Sequence, residues 1–130
     1  DSVLVTGESL GIYHSSGTPT PSVTYNIESY KKSLINSYDL DSKVISFSHI
    51  GCITGNICPE FIKASIDATD EIVERVTGLL RGGATVSEIC QMLLIDWKNE
   101  GRFPDAPIAS LNEEVISGLV KLIAANSDLD

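Results

Sequence analysis

The sequence predicts an α/β fold that runs on into a helical extension. Three observations carry this. Two short apolar runs, Val3-Leu4-Val5 and Val44-Ile45 with Phe47, end at polar residues and glycines, as buried strands do. A segment with apolar residues three or four apart separates them. After residue 58 the helical period takes over, punctuated by glycine stops and capping boxes.

The elements follow in order. Residues 1–6 read as a strand with Val3, Leu4 and Val5 buried, ending at Gly7, and residues 10–13 allow a second short extended piece. Residues 14–22, rich in Ser, Gly, Thr and Pro, read as an ordered loop or flap. Asn26 is placed to cap a helix over 27–38, with Ile27, Tyr30, Leu34 and Tyr38 on one face. A strand over 43–47 runs into Ser48-His49-Ile50-Gly51 and a turn containing Gly55.

Three helices close the chain. The first covers 59–81, with Pro59 in its first turn, Ile62, Ile66, Val73, Val76 and Leu80 as its stripe, and Gly82-Gly83 as its stop. The second opens on a capping box, Thr85-Val86-Ser87-Glu88, and carries Val86, Ile89, Cys90, Leu93, Leu94 and Trp97 at helical spacing. The third opens on Ser110-Leu111-Asn112-Glu113 and carries Leu111, Val115, Leu119, Leu122 and Ile123 to about residue 126. The expected division is 1–58 as an αβ part and 59–130 as a three-helix extension.

Composition bounds the function. The 130 residues make one domain's worth of chain, 42% hydrophobic and 21% charged, so a packed core is expected and disorder is not. Nine Lys and Arg stand against 18 Asp and Glu, and a net charge of −9 disfavours nucleic acid as a partner, because phosphates would be repelled. No apolar run approaches the roughly 18 residues of a membrane span, so no membrane association is expected. Three cysteines at irregular spacing (Cys52, Cys58 and Cys90) favour free thiols and a cytoplasmic location over a disulfide framework. A strand beginning at the first residue suggests a cut chain.

Two constellations hold candidate chemistry. In Thr6-Gly7-Glu8-Ser9-Leu10-Gly11, Glu8 follows a strand and is flanked by glycines that permit a sharp turn; the plain alternative is an exposed turn glutamate. In Phe47-Ser48-His49-Ile50-Gly51-Cys52, His49 lies just past the other strand, although a lone His is more often a surface or satisfied core residue. A carboxylate and an imidazole at like ends of neighbouring strands suit Zn, Fe or Mn, but two ligands fall short of a complete site. Cys52, three residues after His49, allows a local chelate, and His14 reads as facing solvent or a cleft. Asp67, Asp70, Glu71 and Glu74 read as a solvated helix face.

In the order and spacing of these motifs the chain resembles the C-terminal half of the metallo-β-lactamase superfamily. That family has a strand ending in Thr-Gly-Asp-x-x-Gly, matched here by Thr6-Gly7-Glu8-Ser9-Leu10-Gly11; a helix with a Tyr and a Ser-Leu pair, matched by Tyr30-Lys31-Lys32-Ser33-Leu34; and a strand running into His and Gly, matched by 44–51. Residues 83–88 fit a junction common in its C-terminal extensions.

The resemblance implies the second αβ layer of an αββα sandwich followed by a C-terminal helical extension. It implies a dinuclear site of Zn, or Fe or Mn, in the intact protein, with Glu8 and His49 as ligands and metal-activated water attacking a small-molecule substrate. Glu8 stands where the family has Asp, and the family's His-x-His-x-Asp-His cluster is absent from this sequence. The expectation is therefore a fragment of a metal-dependent hydrolase, inactive alone, whose open sheet is covered by an N-terminal portion or a second copy. The alternatives are a non-catalytic helical interaction or oligomerisation module, or a small metal-binding regulator using His49 and Cys52.

Overall fold

The computed structural model describes residues 2–7, 9–12, 19–23, 25–48, 51–102 and 109–127, with the side chains of 109–112 left aside. Its element order is β1 (Val3–Gly7), α1 (Ile27–Asp39), β2 (Val44–Phe47), β3 (Gly51–Thr54), α2 (Ile57–Arg81), α3 (Val86–Asn99) and α4 (Ala109–Asn126). The architecture is mixed α/β: a three-stranded sheet in the order β1-β2-β3 with four helices. β1 runs parallel to β2 through α1, as a strand–helix–strand crossover requires, and β2 pairs antiparallel with β3.

β3 was not legible as a strand. Gly51-Cys52-Ile53-Thr54 has a single large aliphatic residue, and its pairing comes from the chain reversing between Phe47 and Gly51. The turn at Gly55 follows this strand, and its N–H donates to the Lys43 carbonyl at 2.9 Å.

Register sorts the sheet into two faces. Leu4, Ile45 and Ile53 align across the strands on the inner face, where Ile45 is fully buried. Val3, Val44 and Thr54 align on the outer face, as do Val5, Ser46 and Cys52. The expectation that Val3 and Val5 are buried is corrected here: they are 60% and 78% exposed. Side chains alternate across a strand, and the helices pack on one face only.

Two apolar clusters make the core. The sheet's inner face packs Ile45 and Phe47 with Leu10, Tyr30, Leu34, Cys58, Phe61 and Ile62, and the Phe47 and Phe61 rings meet edge to face at 5.1 Å. The second cluster is helical: Ile72 and Val76 of α2, Ile89, Leu93 and Trp97 of α3, and Ile116, Leu119, Val120 and Ile123 of α4, with Ile27 reaching it from α1. The 25-residue helix α2 contributes to both, so it joins the sheet half to the helical half. Its buried stripe runs through Phe61, Ala68, Thr69 and Ile72 beside Ile62 and Val76; Ile66, Val73 and Leu80 sit at the margins. On α4 the buried face is set by Ile116 and Val120 together with Leu119 and Ile123.

Helix ends follow local chemistry. Asn26 caps α1 by accepting from the Ser29 N–H at 2.8 Å. Gly83, at φ +91°, ends α2: its N–H donates to the Leu80 carbonyl and the Ala84 N–H to that of Leu79, a Schellman closure. Gly101 does the same for α3. The first turn of α2 holds Pro59, as expected. Ser110 is not an N-cap, because α4 already includes Ala109.

The Thr85–Glu88 capping box forms in full: Thr85 Oγ1 accepts from the Glu88 N–H at 3.3 Å and Glu88 Oε2 from the Thr85 N–H at 2.7 Å. Those bonds to Thr85 hold the Glu88 carboxyl below its ordinary pKa of 4.5. A group lowered on folding stabilises above its unfolded pKa and loses that contribution as pH falls through the folded value. Thr85→Ala is expected to cost about 1 kcal/mol at pH 7. The difference in urea midpoint between wild type and Glu88→Gln should be present at pH 7 and vanish in acid; a difference that persists at pH 2 would contradict the assignment.

Candidate functional site

Glu8, His14 and His49 lie outside the described residues. What is described is the frame that carries the first and last of them. β1 and β2 are parallel neighbours, and Gly7 pairs with Phe47, so the strand ends that precede Glu8 and His49 lie side by side at one edge of the sheet. In open α/β sheets this carboxyl edge is where ligands bind.

The end of β1 is built for a sharp change of direction. The register slips between Val5 and Gly7, a bulge at Thr6. Thr6 Oγ1 lies 3.4 Å from the Ser46 carbonyl oxygen, tying the bulge to β2. Gly7 takes φ +56°, and Ser9 folds back on Thr6, its N–H and Oγ–H both donating to the Thr6 carbonyl at 3.0 and 2.7 Å. Bulges of this kind re-aim side chains next to sites. Neither the bulge nor the double bond from Ser9 was predicted; the glycines were the only trace of them in the sequence.

Beyond the turn, Leu10 is buried and Gly11, at φ +97°, presses against the rest of the fold. Ile12 and Thr20 form a bridge through reciprocal backbone bonds of 2.8 and 3.0 Å. The hydroxyl of Tyr30, on α1, accepts from the Ser22 N–H at 3.3 Å. Burial pushes the Tyr30 phenol up to about 12, against the opposing pull of that bond.

The described residues contain no group of three His, Cys, Asp or Glu side chains able to hold a metal ion. Asp67, Asp70, Glu71 and Glu74 are exposed, as expected, and Asp70 pairs with Lys31 at 2.5 Å. Cys58 is buried and its thiol faces the Ile53 carbonyl at 3.4 Å, while Cys52 is exposed on the outer sheet face.

A second concavity, unforeseen in the sequence, lies between α3 and α4. It is a groove of about 550 Å³ lined by residues including Val86, Cys90, Leu94, Glu113, Ser117 and Lys121. Burial raises the Cys90 thiol's pKa, partly offset by a hydrogen bond with Ser117 and the charge of Lys121. Met92 and Ile95 stand exposed on α3.

No family model matches the chain, and no curated protein sequence matches it. Among the described residues no helix is long and apolar enough to cross a membrane.

Proposed function

We propose that the chain is the C-terminal αβ portion, with its helical extension, of a metal-dependent hydrolase of the metallo-β-lactamase type. The observation that supports this most is the pairing of Gly7 with Phe47 in parallel strands, which brings the lead-ins to Glu8 and His49 to one sheet edge. The uncovered outer face with Val3 and Val5 suits a sheet that packs against a second αβ layer. One carboxylate and one imidazole are the right donors for Zn, Fe or Mn, but fewer than a metal centre needs. Glu8 and His49 would hold part of a dinuclear centre completed by an N-terminal portion; when bound, the metals lower the pKa of water for attack on a small-molecule substrate. The chain's own work is to orient the two ligands, through the Thr6 bulge and the Ser9 turn on one side and the β2–β3 reversal on the other. The protein acts in the cytoplasm, in keeping with its free thiols.

Zinc titration of the chain tests this. Binding should be weak, should fall roughly tenfold or more in Glu8→Ala and in His49→Ala, and should bring no hydrolysis of thioester, lactam or phosphodiester substrates. Binding indifferent to both substitutions would refute the assignment.

The exposed Met92 and Ile95 favour one other reading, a non-catalytic helical module that pairs with a second copy of the chain. Under it the Zn²⁺ response is absent, and Ile95→Glu converts a dimer to a monomer in light scattering.

A further inference from the structure

The groove between α3 and α4 has two walls of different chemistry. Val86, Cys90 and Leu94 line it from α3, four residues apart and so on one face of that helix. Glu113, Ser117 and Lys121 line it from α4 at the same spacing. A hydrogen bond between Cys90 and Ser117 joins the walls midway. Glu113 and Lys121 are exposed, and neither makes an ion pair among the described residues. Lys121 is the single cation of α4, whose other charges are Glu113 and its neighbour Glu114.

This row of residues is complementary to its own reverse. Ser117 is its centre, with Glu113 four residues before and Lys121 four residues after, each about 6 Å away along the helix axis. A second copy related by a two-fold axis near Ser117 would lay its α4 antiparallel to the first. Glu113 of each copy then faces Lys121 of the other, and two identical ion pairs form at opposite ends of one contact. A parallel pairing would set carboxylate on carboxylate and ammonium on ammonium. Ser117 and Gly118 carry little bulk at the crossing, so the two backbones can come close. We propose that α4 and the groove beside it form the contact surface of an antiparallel, two-fold homodimer of this chain, specified by reciprocal Glu113–Lys121 pairs. The charge pattern names the occupant. An unrelated helix has no reason to carry Lys and Glu in the matching order, whereas a second copy carries them by symmetry. The metal ligands play no part in this contact, so zinc titration and assembly report separately.

Sedimentation of the full chain over a range of concentrations tests the proposal by charge reversal. Wild type should dimerise. Glu113→Lys alone sets Lys on Lys at both ends, and Lys121→Glu alone sets Glu on Glu, so each should weaken the dimer about tenfold or more. An equimolar mixture of the two single variants should recover a dimer, because each supplies the charge the other needs. The double variant Glu113→Lys with Lys121→Glu should dimerise by itself. Circular dichroism checks that each variant is folded. Glu113→Gln and Lys121→Gln replace any reversal that fails to fold, and each should weaken the dimer about threefold. A wild type that stays monomeric overturns the proposal, as does a mixture that gains nothing over its components. A dimer indifferent to both reversals but lost in Ile95→Glu also overturns it, and assigns the contact to the Met92 and Ile95 surface instead.

Discussion

Trp97→Ala is expected to cost about 3–5 kcal/mol, the range for truncating a large buried aromatic. Trp97 is 2% exposed and sits in the helical cluster with Ile89 and Leu93 of its own helix and Ile116, Val120 and Ile123 of α4. It also organises the end of α3. The Arg102 guanidinium lies 5.0 Å from the ring centroid and donates to Glu100 Oε2 at 2.6 Å, while the Arg102 N–H donates to the Trp97 carbonyl at 2.9 Å. Truncation therefore opens a cavity and strips a cation of its aromatic face. Because Trp97 is the single tryptophan, unfolding must be followed by far-ultraviolet circular dichroism. The melting temperature should fall by roughly 10 °C or more, since 1 kcal/mol is worth several degrees at this size. A loss under about 1 kcal/mol would place Trp97 outside the core.

Gly11→Ala should be the most damaging substitution near the candidate site. Two penalties add there. At φ +97° an L side chain is strained, and the new Cβ would meet the Thr20 carbonyl at 3.0 Å, a backbone atom that cannot swing aside. Gly83→Ala isolates the first penalty: its φ is +91°, but a Cβ there meets nothing within 4 Å. Gly83→Ala is expected to cost about 1–2 kcal/mol and Gly11→Ala about 2–4 kcal/mol. Urea midpoints of the two variants provide the comparison, and equal losses would show that the approach to Thr20 and Tyr30 carries no weight. Gly11→Ala should also disturb the Thr6–Ser9 turn, whereas Gly83→Ala, at the end of α2, should leave it alone.

The helices were the most readable part of the chain, because their determinants are local. Asn26, the Thr85–Glu88 box and Gly82-Gly83 act within one turn of themselves: the first two start α1 and α3, and the glycines end α2, where the spacing places them. Which apolar residues lie deepest was less readable. Val73 and Val115 have the right period, but Ile72 and Ile116 turn further inward, since the rotation of a helix is set by the neighbour it packs on. The strands were readable as apolar runs and not as faces: Val3 and Val5 match Ile45 in character, yet only the placement of α1 and α2 decides which side is dry.

At the candidate site the sequence by itself determined the residue types, a carboxylate and an imidazole that each follow a strand and are set among glycines, because strand ends and tight turns are written in a few adjacent residues. Tertiary structure decided the rest. Parallel pairing, with Gly7 opposite Phe47, joins two segments 40 residues apart, and the bulge at Thr6 sets how the chain leaves the sheet. The oxygens around Gly11 come from Thr20, Tyr30 and Ser65, and no local pattern links them. Such contacts come from packing between distant segments, and a periodicity read along the chain does not contain them.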